Sequence, residues 1–126
     1  MNKDDATAAL QRPTDFFTSD EIAYLREVDS WRSSLAIAHC WAVIVSTWIV
    51  VCLFPNPITI TLGVMIIGTR QLGLFVLTHD GAHGALYKNR RLNDWVCEWL
   101  LNRPFTDEKI DNYRKYHVVH HANTQQ

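Results

Sequence analysis

Two long runs of apolar residues dominate the middle of the chain. Residues 35–54 contain no charged residue, and residues 58–77 are interrupted only by Arg70 and Gln71. A helix of about 20 residues spans the roughly 30 Å hydrocarbon core of a bilayer, so each run predicts a membrane-spanning helix. The sequence Pro-Asn-Pro at 55–57 separates the two runs, because proline does not continue a helix. The pattern therefore predicts a membrane hairpin, and two buried helices of a soluble core are the alternative.

Shorter amphipathic helices are predicted on either side of this hairpin. Thr18 and Glu21 fit a capping box, which predicts a helix that continues to about Trp31. The sequence LNDWVCEWLL, which begins at residue 92, repeats apolar residues at the spacing of one helix face. That face comprises Leu92, Trp95, Val96, Trp99 and Leu100, and the opposite face comprises Asn93, Asp94, Glu98 and Asn102. Two tryptophans on the apolar face favour a helix that lies at the membrane surface.

The predicted fold class is all-α, an integral membrane protein with one transmembrane hairpin, interfacial helices and cytoplasmic histidine boxes. Basic residues indicate its orientation: four precede residue 35, seven follow residue 77, and the hairpin tip has none. The positive-inside rule then predicts that both termini are cytoplasmic. Residues 1–34 would form a polar cytoplasmic N-terminal segment, and residues 35–126 would form the membrane domain.

Composition and charge exclude some classes of function. The net charge of −1 and the pI of about 6.6 give no reason to expect a nucleic-acid partner. Cys40, Cys52 and Cys97 form no CxxC pair, so they are predicted to be reduced packing residues. The first 34 residues carry seven acids against four bases, unlike a cleaved signal peptide.

Five of the six histidines lie in two short boxes, HDGAH and HVVHH. In the first box the histidines are four residues apart, which places both on one face if the second apolar helix continues through Thr78. In the second box the first and last histidines share a face, and the middle one turns about 100° from its neighbour, so this box can reach two ions. Imidazole suits iron, zinc, copper and nickel, so the boxes predict a metal site. The predicted ligands are His79, His83, His117, His120 and His121.

Three polar residues outside this ligand set have alternative interpretations. Asp80 is either a partner that orients a ligating histidine through its other ring nitrogen, or a solvated acid or helix cap. Arg70 either snorkels to the membrane surface or faces a polar cavity. His39 matches neither box, and it is expected to be a packing or interfacial residue of the first span.

The two boxes, in this order after a membrane hairpin, resemble those of the membrane fatty-acid desaturase family. HDGAH is similar to the family's first box, HxxxH. HVVHHANT is similar to the second, HxxHH, including the threonine (Thr124) that often follows it. The resemblance runs from about residue 35 to the end, and it implies that the five histidines are catalytic ligands of two non-haem iron ions.

The resemblance also implies an activity, an acyl-lipid or fatty-acid desaturase-type oxidoreductase. Such an enzyme uses O2 to introduce a double bond into an acyl chain. Its partners would be the membrane, a lipid or acyl-chain substrate, and an electron donor of the ferredoxin or cytochrome b5 type.

The family's third box, a further HxxHH after a second membrane hairpin, has no counterpart in residues 1–126. The chain is therefore expected to be the N-terminal part of such a domain and inactive alone. Three alternatives remain open. They are a carotenoid or other lipid hydroxylase or ketolase of the same histidine-box class, a non-catalytic metal-binding membrane protein, and a membrane anchor whose histidines are incidental.

Overall fold

The structure is a computed structural model that describes residues 13–123, and this part of the chain is helical and contains no strand. A 3₁₀ turn at Pro13–Asp15 is followed by α1 (Ser19–Leu25), α2 (Ser30–Leu53), α3 (Pro57–Ala82), α4 (Arg90–Val96) and α5 (Ile110–Asn123). A π-helical segment, Cys97–Asn102, continues α4. The predicted all-α class is confirmed over this range, while the first part of the polar tail and Thr124 lie outside the described residues.

The two apolar helices pack against each other as an antiparallel pair. Gly63 faces Val51, and ten residues later Gly73 faces Cys40, so the helices run in opposite directions. A Cβ atom on Gly63 would lie 2.6 Å from a Val51 methyl group, so the small residue allows the helices to approach closely. Asn56 begins α3 by accepting hydrogen bonds from the two backbone N–H groups that follow Pro57. The predicted break between the helices is therefore confirmed.

Most of the apolar surface of this pair points away from the protein. Both α3 and the helix that ends at Leu53 are long and apolar enough to cross a membrane. Only 11% of the most apolar stretch of α3, and 17% of that of the helix ending at Leu53, is buried. A helix in the core of a soluble protein buries its apolar residues, so this distribution favours membrane association.

The helix that precedes the first apolar run is shorter than the sequence pattern predicts. The capping box is present, because Thr18 N–H donates to Glu21 at 2.8 Å and Glu21 N–H donates to the Thr18 hydroxyl at 3.3 Å. However, Asp29 accepts hydrogen bonds from Trp31 N–H and Arg32 N–H, each at 3.1 Å, and so begins α2. The prediction of a single helix to Trp31 is wrong, because Asp29 is the N-cap of a new helix and an N-cap residue is not itself helical.

The segment after the first histidine box is α-helical only to Val96. Its last turn is wider, because Arg103 N–H donates to the carbonyl of Glu98, five residues earlier, at 2.9 Å. Of the predicted apolar face only Val96 is buried. The other four members are exposed: Leu92, Trp95, Trp99 and Leu100. An exposed apolar face of this kind fits a helix at a membrane surface.

The polar side of this segment packs onto the helix pair. Asn93 is fully buried and Asn102 is nearly so. The Asn93 amide donates to the Gly81 carbonyl at 2.9 Å and accepts from Leu86 N–H at 3.3 Å. Burial of an amide costs little when its hydrogen bonds are made, and the bonds of Asn93 connect α4 to the end of α3.

The three cysteines are free thiols. Cys40 and Cys97 are buried, as expected for packing residues. Cys52 is reduced as predicted, but the prediction that it packs in the interior is wrong, since it is exposed on α2.

Candidate metal centre

The first histidine box lies at the end of α3. The helix continues through Thr78, as required by the sequence argument, and ends at Ala82. His79 therefore lies in the last turn and His83 caps the helix. Their ring centroids are 4.9 Å apart, so the two imidazoles face the same side.

The second box lies on α5, which begins next to the π-helical segment. Glu98 accepts a hydrogen bond from Ile110 N–H, at the start of α5, at 2.8 Å and another from Arg103 Nε at 2.7 Å. Burial opposes ionisation of Glu98, but these two donors outweigh it and hold the pKa of its carboxyl below the usual value. The carboxylate therefore caps α5 and fixes its first turn.

Four of the five predicted ligands converge at one point. The ligand atoms of the group all lie within 4.8 Å of one another, and the group comprises His79, His83, His117 and His121. His117 Nε2 lies 2.8 Å from His83 Nε2 and 2.9 Å from His121 Nε2. When two nitrogens bind the same ion at about 2.1 Å and their bonds to it are at right angles, the nitrogens lie roughly 3 Å apart. The spacing therefore fits ligands of a single ion.

The donor chemistry of the cluster also fits a cation. A ring nitrogen of a neutral imidazole either donates or accepts one hydrogen bond. The His117 Nε2 atom therefore does not satisfy both neighbouring Nε2 atoms by hydrogen bonding. A bound cation satisfies all three lone pairs at once.

The surroundings of His83 and His117 favour the neutral form of both rings. Burial first, and then the neighbouring histidines, lower the pKa of both imidazoles below the usual value. A neutral ring has a lone pair for a metal, so the environment favours binding.

Asp80 lies beside the cluster and contacts one of its members. His79 Nδ1 lies 3.2 Å from an Asp80 carboxylate oxygen. If Nδ1 carries the proton, Nε2 of the same ring presents its lone pair, which is the usual arrangement of a carboxylate behind a metal-ligating histidine. Of the two interpretations of Asp80, the structure favours the orienting partner.

His120 is not part of the converging group. Its ring centroid lies 6.5 Å from that of His117 and 6.1 Å from that of His121, and its side chain is exposed. This placement follows from the helix angle noted above. His39, which matches neither box, is exposed on α2.

The sequence pattern did not identify several residues that surround the cluster. The Tyr113 ring stacks on His117 at 5.4 Å and 10°, and it meets Phe75 edge-on at 6.1 Å. Arg114, counted above only as a basic residue, bonds to the last residue of α3 and to Asp94. Their spacing from the second box could have identified them, because Tyr113 and Arg114 lie one helical turn before His117 and so share its helix face.

Comparison with known proteins agrees with this architecture. The chain matches the fatty acid desaturase family over residues 55–126, which contain α3, α4, α5 and both boxes. It is 38% identical over 60 residues to the sn-1 acyl-lipid omega-3 desaturase (ferredoxin) of Synechocystis sp.; the match covers 48% of this chain and 16% of that protein. No solved structure matches. Since the family match covers more than half of the chain, the chain belongs to the fatty acid desaturase family.

Proposed function

We propose that this chain contributes the first two histidine boxes of a membrane-bound desaturase, an oxidoreductase that uses O2 to introduce a double bond into an acyl chain. The observation that carries the proposal is the convergence of four imidazoles within 4.8 Å at the end of an apolar helix pair. Family membership supports the same class of reaction.

The proposed cofactors are two non-haem iron ions. The four converging histidines would hold one ion, and His120, which faces away from them, would serve the second. Iron held by these imidazoles would supply the activation of O2, with electrons from an external donor, and the removal of hydrogen from an unactivated CH₂ group. The chain's own contribution is to orient the rings, through Asp80 at His79 and Tyr113 at His117.

The number of ligands bears on completeness. Two ions need roughly four to six ligands each, which exceeds five imidazoles. We propose that the active protein supplies further ligands, and that residues 1–126 alone bind one ion without turnover.

The proposed substrate is a lipid acyl chain, and the proposed electron donor is of the ferredoxin or cytochrome b5 type. The name of the Synechocystis relative includes both an acyl lipid and ferredoxin. The exposed apolar faces of α2, α3 and α4 support access from a bilayer, since an acyl chain reaches a site at the membrane surface without crossing water. In this arrangement the helix pair forms a membrane hairpin with both termini and the boxes in the cytoplasm.

The test is lipid analysis of cells that express the complete gene product together with a ferredoxin. We expect new unsaturated fatty acids in the wild type. We expect none in alanine variants of the five box histidines, each of which still inserts into the membrane. The matched control is His39→Ala, which changes a histidine outside the boxes and should keep full activity.

Three results would contradict parts of this proposal. Hydroxylated instead of unsaturated lipids would favour the hydroxylase alternative. Zinc instead of iron in the purified protein would favour a non-catalytic site. Wild-type activity in any box variant would remove that histidine from the site.

A further inference from the structure

The two histidine boxes come from separate helices whose relative position has to be fixed. His83 caps the end of α3 and His117 lies on α5, 34 residues later, yet their Nε2 atoms are 2.8 Å apart. Metal–ligand distances vary by only about 0.2 Å, so α5 has to be held closely against the end of α3. The apolar contacts at this place form a small cluster: Ala82, Cys97 and Ile110, with Tyr113 packed against it. Such a small cluster gives limited orientation, and directional bonds are needed.

Arg114 makes directional bonds between the helices. It precedes His117 by three residues, so the two side chains share one face of α5. Its Nε donates to the carbonyl of Ala82, the last residue of α3, at 2.9 Å. Its Nη2 donates to Asp94 on α4 at 2.8 Å, and its Nη1 donates to Asp111 on α5 at 2.8 Å. One guanidinium thus joins three helices directly beside the first histidine box.

The acidic partner of Arg114 is itself fixed to the loop that follows α3. The Asp94 carboxylate accepts a hydrogen bond from the Asn93 amide at 3.2 Å. The same amide, fully buried, bonds the backbone of Gly81 and of Leu86. These two backbone groups lie on either side of the second histidine of the first box, so α4 fixes that loop and presents a carboxylate to Arg114.

We propose that Arg114, through its bond with Asp94, is a positioning residue for the histidine metal centre. The inference rests on the proposed function, because positioning matters only if the histidines bind metal. Within the described residues Arg114 bonds to a carbonyl and two carboxylates, and so it acts on the metal through the helices. Its planar fork makes these bonds at fixed angles, which a lysine ammonium on a flexible stem does not reproduce.

The test is Co²⁺ binding by the full chain in lipid nanodiscs, followed by the visible absorption of the bound ion. We expect Arg114→Lys and Asp94→Asn each to weaken Co²⁺ affinity about 10- to 100-fold, the range for residues that orient metal ligands, and to change the absorption band. The double variant should lose less affinity than the sum of the two single effects, because all three variants lose the bond between Arg114 and Asp94. The matched control is Asp111→Asn. The Asp111 side chain is 73% exposed and bonds Arg114 only within α5, so this variant should keep the wild-type Co²⁺ affinity.

A purely structural role gives a different result. Arg114→Lys would then lower the unfolding temperature, but the folded protein would keep the wild-type Co²⁺ affinity and absorption band, and the inference would be overturned. Failure of the proposed function is distinguishable. If the wild type binds no Co²⁺, or His117→Ala binds it equally well, the metal site itself is absent and both proposals fail.

Discussion

A methyl group at Gly81 should damage the packing between the end of α3 and the π-helical segment. A Cβ atom there would lie 2.5 Å from Cys97 Sγ and 3.0 Å from a Leu86 methyl group. Ordinary contacts between such atoms are about 3.5–4.0 Å, so the segments would have to separate by about 1 Å. The Asn93 hydrogen bond to the Gly81 carbonyl opposes that movement.

The cost of Gly81→Ala follows from two opposing terms. Overpacking of this kind costs about 1–3 kcal/mol, while replacement of glycine by alanine in a helix gains about 1 kcal/mol. Gly68 provides the matched control, since it lies in the same helix and a Cβ atom there meets nothing within 4 Å. The difference in unfolding free energy between Gly81→Ala and Gly68→Ala isolates the overpacking term, and we expect about 1–3 kcal/mol.

The assay is reversible unfolding of the chain in mixed micelles of a mild detergent and dodecyl sulfate, followed by far-ultraviolet circular dichroism. Adding Cys97→Ala to Gly81→Ala removes the clashing sulfur, so the double variant should be more stable than the sum of the single effects. Because Gly81 lies between the two histidines of the first box, Gly81→Ala should also weaken Co²⁺ binding. Equal stability of the Gly81 and Gly68 variants, or strict additivity with Cys97→Ala, would refute the packing argument.

Three further predictions use other parts of the structure. Burial raises the pKa of the Cys97 thiol to about 12, so iodoacetamide at pH 8 should modify this residue only after unfolding, as measured by mass spectrometry. The pKa of Glu98 is lowered, so its contribution to stability is present above the ordinary value of 4.5 and is lost as the pH falls through the lower folded value. Glu98→Gln should therefore reduce the loss of unfolding free energy at acidic pH, and an unchanged pH dependence would contradict this prediction. A topology reporter at Asn56 should lie outside the cytoplasm and one after Gln126 inside; the reverse would defeat the orientation drawn from basic residues.

The elements that depend on local pattern could be predicted from the sequence. Two apolar runs separated by Pro55 and Pro57 predict the helix pair, and the i, i+4 spacing of the histidines predicts the shared faces. The separate placement of His120 also follows from helix geometry alone. These features depend on residues within one or two turns of each other, where the backbone fixes the geometry.

Features decided by competition between signals could not be predicted in this way. The capping box at Thr18 suggested one continuous helix, but Asp29 offers a second N-cap that starts a new one. The sequence pattern placed Asn93 on the face opposite the two tryptophans, but it did not predict that this residue is buried. Asn93 is buried where its amide bonds the backbone at the end of α3 and in the loop that follows.

The contacts that fix the site are long-range, and periodicity carries no information about them. Arg114 reaches partners 20 and 32 residues away, Asp94 and the carbonyl of Ala82. The position of Arg114 nevertheless follows a local rule. Residues one helical turn apart lie on the same face, so Arg114 and His117 face the same neighbouring helix. A polar residue at that position meets whichever element supplies the opposing ligands. The turn before each histidine box is therefore where residues that orient the boxes are to be sought, and Tyr113 and Arg114 both occupy it here.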